Sequence, residues 1–128
     1  MANKVFVNTE QEIGEIHLEG DQTADTINNI ISQLMLADKE LQRRFHRVCK
    51  FVDLTGLGRF DFGAEEATVR GVDLIDFDRL AVYGVSAVNR KIIDTILKLT
   101  KKYNKIQFFD DRDKAVAWVK DYEKETSA

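Results

Sequence analysis

Apolar and polar positions alternate along the first part of the chain and then change period. "KVFVN" (4–8) and "IGEIHLE" (13–19) are short alternating segments separated by polar "TEQE", the pattern of a β-hairpin. After Gly20 the period lengthens. Ile27, Ile30, Ile31 and Leu34 fall at i, i+3, i+4 and i+7, one face of a helix that Asp21 or Thr23 can cap. "DKELQRRFHR" (38–47) adds a short helical turn. "VCKFVDL" (48–54) is rich in β-branched and aromatic residues and predicts a strand, and 62–75 predicts a helix with a ragged apolar stripe. "RLAVYG" (79–84) is almost continuously apolar, as a strand buried on both faces is. Ser86 caps a longer helix with Val88, Ile92, Ile96 and Tyr103 on one side, widened by Ile93 and Leu97. "KIQFF" (105–109) is the last strand. Asp110 or Asp111 opens a final helix whose Ala115, Trp118, Val119 and Tyr122 face inward, with the Trp118 ring against the sheet, and "KETSA" is a polar tail.

From residue 13 onward, strands and helices alternate four times, which implies a mostly parallel sheet joined by right-handed crossovers. With each strand beside its predecessor, all four helices are expected on one face, leaving the other bare. Side-chain parity describes that bare face. In the second strand Gly14, Ile16 and Leu18 point one way, and Glu15, His17 and Glu19 the other. Cys49 pairs in parity with Phe51, Ala81 with Tyr83, and Gln107 with Phe109. If these join the glutamate side, the bare face runs from charge to aromatic rings, while Ile16, Leu18, Val52 and Val82 lie under helices. An uncovered strip of that kind calls for a partner, a ligand or a symmetry mate. The expectation is a homodimer or other hydrophobic contact through Phe51 and Tyr83.

Composition narrows the class further. A chain of 128 residues fits one domain, 1–128, long enough to bury roughly two-thirds of its unfolded surface. The net charge of −3 gives no general attraction to nucleic acid or to anionic membrane. Cys49 is the only cysteine, so no intrachain disulfide forms, as suits a reducing compartment. The start lacks the apolar core of a signal peptide, and no apolar run approaches the roughly 18 residues of a membrane span. A cytoplasmic domain is expected.

Candidate chemistry is sparse. His17 and His46 are the only histidines, and neither stands at a relay spacing from a nucleophile and an acid. Two separated histidines and one cysteine make no metal-ligand pattern. The Gly-rich loop 56–63 has neither a P-loop ending nor a dinucleotide fingerprint. Cys49, inside an apolar strand, reads as a small core residue. The basic runs "RRFHR" and "KLTKKYNK" lie near helix C-termini, where cations complement the helix dipole. Asp110, Asp111 and Asp113 likewise read as charges at a helix start. Gly84 and Ser86, at a strand's C-terminal end, can present N–H groups to an anion, or simply turn and cap the chain. No catalytic set, metal site or cofactor is expected.

The stretch "FVDLTGLGRFDFG" resembles the segment of anti-anti-sigma factors and other STAS domains in which a strand runs into Asp-Leu-Ser/Thr-Gly. There a second Asp-Ser-Ser/Thr-Gly then opens a helix. "FDRLAVYG" and "IQFFDDRDKAVAWV" extend the resemblance to the small SpoIIAA-like branch and to nearly the whole chain. It implies an α/β, STAS/SpoIIAA-like (βα)4 superhelix, a mostly parallel sheet with an antiparallel N-terminal strand. By position Asp53, Thr55 and Gly56 match the first part of the motif, and Asp61 and Gly63 the second. In STAS regulators the serine after that second aspartate is phosphorylated by a partner kinase; here Phe62 holds its place and accepts no phosphate. Thr55 and Thr68 are the nearest remaining hydroxyls for such a switch. The resemblance implies a non-enzymatic regulatory domain that binds a protein partner or itself around Phe60, Asp61, Phe62 and Gly63. The alternative is a carrier or sensor of a small apolar ligand, because the branch has been likened to CRAL-TRIO lipid carriers.

Overall fold

In the computed structural model, which describes residues 2–122, five strands form one sheet in sequence order. The expected polar tail, 124–128, lies outside the described residues. β1 (Lys4–Asn8) pairs antiparallel with β2 (Ile13–Gln22). β3 (Cys49–Phe60), β4 (Arg79–Tyr83) and β5 (Ile106–Phe109) follow in parallel. The helices are α1 (Ala24–Phe45), α2 (Phe62–Leu74), α3 (Ala87–Lys98) and α4 (Arg112–Lys120).

Each helix starts where a short polar side chain can accept from its first turn. Thr23, Asp61, Ser86 and Asp111 cap α1 to α4 in that order, and Thr23 forms a reciprocal capping box with Thr26. α1 is one continuous helix, so the separate turn expected at 38–47 is its last part. No glycine or proline interrupts it, and Leu41 extends the buried stripe of Ile27, Ile30 and Leu34. It ends at His46, which turns left-handed (φ 57°).

The expectation of four helices on one face is corrected. Right-handed crossovers between adjacent parallel strands constrain only the helices inside them, and those are α1, α2 and α3. These three bury Ile16, Leu18, Leu54, Leu80 and Val82 in the main core. α4 follows the last strand, so no crossover holds it. It packs on the opposite face, where Ala115 and Val119 cover Ile13, Cys49, Phe51 and Ala81. Trp118 is half-buried at the rim of that second core, its ring 5.6 Å from Phe109 and under the Arg79 guanidinium. Arg47 fastens the other end of α4 by donating to the carbonyls of Lys120 and Tyr122 at 2.9 and 3.0 Å.

Candidate functional site

The stretch 53–63 is mostly strand. β2 and β3 stay paired as far as Gln22 and Phe60, through two register shifts, so the expected loop at 56–63 shrinks to the step at Asp61. Gly58 is there for close approach: a Cβ on it would meet the Asp21 carboxylate at 2.4 Å, and Asp21 accepts the Arg59 N–H at 2.7 Å. Asp61 Oδ1 accepts from the Ala64 N–H at 2.7 Å, so this carboxylate is committed to the α2 cap. The two phenylalanines flanking it part company. Phe60 is half-buried against the main core, whereas Phe62, at the first position of α2, is 73% exposed. The joint patch expected around Phe60 and Phe62 is therefore built on Phe62 alone.

The C-terminal edge of the sheet gathers Thr55 and Gly84. Gly84 takes a left-handed φ of 79° and lies so close to Thr55 that a Cβ would meet its methyl at 2.3 Å. Ser86 Oγ accepts from the Asn89 N–H at 3.2 Å. Asp53 Oδ1 accepts from both the N–H and the hydroxyl of Thr55, at 2.9 and 2.7 Å. The Thr68 hydroxyl turns back along α2 to the Ala64 carbonyl at 2.8 Å. The side-chain groups of Asp53, Thr55, Asp61, Thr68 and Ser86 thus each have a local partner.

On the α4 face, the register sets Glu15 beside Phe51 and His17 beside Asp53, and Phe51 and Asp53 beside Ala81 and Tyr83. The charged-to-aromatic face exists, but Phe51 is fully buried, stacked on half-buried Tyr83 at 5.8 Å. Arg112 of α4 lies over the Phe51 ring at 4.5 Å. Its guanidinium reaches Glu15 at 3.1 Å and Asp53 at 3.7 Å, while Asn8 donates to Glu15 at 2.6 Å. His17 sits between the two carboxylates, 3.0 Å from Glu15 and 3.5 Å from Asp53. Burial alone would push the Glu15 carboxyl up. Hydrogen bonds from Asn8, His17 and Arg112 outweigh it and hold Glu15 below the usual carboxylate value. The expectation from sequence had Glu15 and His17 on this face but missed Arg112, which comes from the far end of the chain. Its one signal was a cation in the first turn of the last helix, where the dipole disfavours it.

Cys49 is fully buried, and burial pushes its thiol up to about 11, so it stays protonated at neutral pH. No group of three or more His, Cys, Asp or Glu among the described residues is arranged to hold a metal ion. No helix among them is long and apolar enough to cross a membrane.

Two features stand out that, apart from Phe62, rest on residues outside the expected set. The first is apolar surface on α2 and α3. Val88 is 78% exposed and Leu99 69%, with Ile92 between them on the same side of α3, and Leu99 lines the α2–α3 groove together with Phe62, Val69 and Ile96. The second is a cavity of about 100 Å³ between the sheet and α1–α3, with aliphatic walls including Ile16, Ile30, Leu34, Val82 and Ile93. Lys50, fully buried, contributes its stem to the wall and directs its ammonium to Asp38 at 2.7 Å. Burial pushes the lysine down and the aspartate up, each shift opposed by the partner's charge.

A family model described as SpoIIAA-like matches residues 13–120. The chain belongs to the SpoIIAA-like family. Its backbone agrees with two solved structures. One is an uncharacterized protein from Shewanella loihica PV-4, from the DUF3478 family with a SpoIIAA-like fold. It has TM-score 0.68 and 16% identity, over 92% of this chain and 93% of that one. The other is the anti-sigma factor antagonist SpoIIAA in its unphosphorylated form, with TM-score 0.62 and 15% identity, over 94% of this chain and 100% of that one. At such identities the likeness concerns the fold. No curated protein matches the chain in sequence. Within this SpoIIAA-like fold, the sheet order and the antiparallel first strand are as the resemblance implied, and a bare phenyl ring stands at the start of α2.

Proposed function

We propose that this SpoIIAA-like chain is a non-enzymatic regulatory domain that acts by docking a protein partner, another copy included, on the outer surface of α2 and α3. The observation that carries the reading is that the exposed Phe62 of α2 and Leu99 at the end of α3 line one groove with Val69 and Ile96, with Val88 and Ile92 exposed further along α3. Isolated exposed apolar side chains are ordinary, but neighbouring ones on two adjacent helices form the kind of patch that marks an interface. Family membership supports a regulatory role, and SpoIIAA is by name an antagonist of another protein. The start of α2 has no hydroxyl at Phe62, so control of docking by phosphate at that position is replaced by a permanently apolar contact. Thr55 and Thr68 are the remaining hydroxyls nearby; Thr55 is exposed but held by Asp53.

The test is site-specific photo-crosslinking in the protein's own host, with benzoylphenylalanine at position 62 and, as control, at Leu36, exposed on α1. A discrete adduct is expected from position 62 and not from 36, and it should vanish when Leu99→Glu is added. Equal labelling from both positions would overturn the reading.

A further inference from the structure

Two basic side chains converge on the same two carboxylate oxygens on the α4 face. His17 Nε2 lies 3.0 Å from Glu15 Oε1, and its Nδ1 lies 3.5 Å from Asp53 Oδ2. Arg112 brings its own nitrogens to that pair, 3.1 Å from Glu15 Oε1 and 3.7 Å from Asp53 Oδ2. The other oxygen of each carboxylate is taken: Glu15 Oε2 accepts from Asn8, and Asp53 Oδ1 from the N–H and hydroxyl of Thr55. One oxygen on each carboxylate is therefore left for His17 and Arg112 together. A neutral imidazole has a single N–H for the two, whereas an imidazolium has one for each.

Counting charge shows what a proton does here. With His17 neutral, the cluster is two carboxylates and one guanidinium, and Arg112 is the counter-charge for both acids. A proton on His17 sets a second cation on the same oxygens, against Arg112, beside a Glu15 that is buried from screening water. Of the other charges around the ring, Lys4 stands opposite it on β1 and Glu19 lies two residues on along β2, with opposite signs. Phe6 stacks on the imidazole and Phe51 meets it edge-on, and neither carries charge. Arg112 has little else to hold it, because it is the first residue of α4, where the helix dipole repels a cation. The far end of α4 is held separately, by Arg47 and Arg79 on the carbonyls of Trp118, Lys120 and Tyr122.

We propose that His17 is a proton-operated release for α4. A proton on its ring competes with Arg112 for Glu15 and Asp53, so mild acid frees the N-terminal end of the helix and uncovers the Phe51 ring beneath the guanidinium. The coupling is reciprocal: the factor by which the proton weakens the Arg112 anchor is the factor by which an engaged Arg112 weakens proton binding at His17. The device stands on the shared oxygens alone and is independent of what docks on α2 and α3.

The experiment follows the ring protons of both histidines in the full chain by NMR from pH 8 to pH 5, in the parent and in Arg112→Gln. His46, exposed at the end of α1, is the internal standard. His17 should bind its proton about fivefold more tightly in Arg112→Gln, the low end of couplings between sites, while His46 is unchanged. Amide exchange then reads the helix itself, as the protection of Val116 and Ala117 in α4 relative to Ile96 in α3. Between pH 7.5 and pH 5.5 that ratio should fall about fivefold in the parent and stay level in His17→Gln. If Arg112→Gln fails to fold, the comparison of the parent with His17→Gln decides by itself. The proposal is overturned if His17 binds its proton no more tightly without Arg112, if the parent ratio holds or rises in acid, or if His17→Gln loses as much protection as the parent.

Discussion

Glu15 shows how a residue can be placed by sequence and still have its role supplied from elsewhere. Alternation in β2 put it on a charged face with His17, and the β2–β3 register brought Asp53 to the same patch. Neither fact predicts Arg112, which arrives from 97 positions away. Periodicity describes neighbours along an element, not partners across the molecule. The paired Glu15 carboxylate has its pKa held below the ordinary 4.5, so the sign of its pH effect follows. Its stabilisation is complete above about pH 4.5 and is lost as the pH falls through the depressed folded-state value. Glu15→Gln is expected to lower stability near neutrality and flatten its dependence on acid. Urea unfolding of both proteins from pH 7 down to pH 3 checks this; parallel stability curves would show that Glu15 contributes nothing specific. Phe51 teaches the same lesson with opposite sign. Its parity was legible, but its burial depended on a helix whose side of the sheet was not.

At the scale of elements, the strand order, the antiparallel first strand and the four helix starts were legible because caps and period changes are local signals. The lengths of β2 and β3 were not. Their glycines look like loop residues in sequence but here admit a neighbouring chain at close range, as Gly58 does with Asp21. The tie between α1 and β3 was also hidden, since nothing near Lys50 announces that Asp38 will meet it in the interior. A buried pair of this kind is hard to break singly and easier to remove whole. Lys50→Met alone leaves the Asp38 charge without its partner and is expected to destabilise the protein by about 3–5 kcal/mol. Adding Asp38→Leu should recover most of that loss. A double-mutant cycle by chemical denaturation measures both effects, and additive losses would mean that the pair is uncoupled.

For the whole molecule, the two cores are unequal in how they are held. The main one is enclosed by helices that the chain must lay down on its way between strands. The second is closed by α4 alone, anchored by Arg112 at one end and Arg47 at the other. Ending the chain after Asp110 should leave the sheet formed but its α4 face open, with strong binding of an apolar dye such as ANS and association at micromolar concentration. A shortened protein that stays monomeric and does not bind the dye would show that α4 is dispensable. The same placement has a consequence in time. A ribosome delivers α4 after every strand, at about 5–20 residues per second. Until α4 is in place Cys49, Phe51 and Ala81 have no cover, so an unfinished chain offers a chaperone an apolar face to hold.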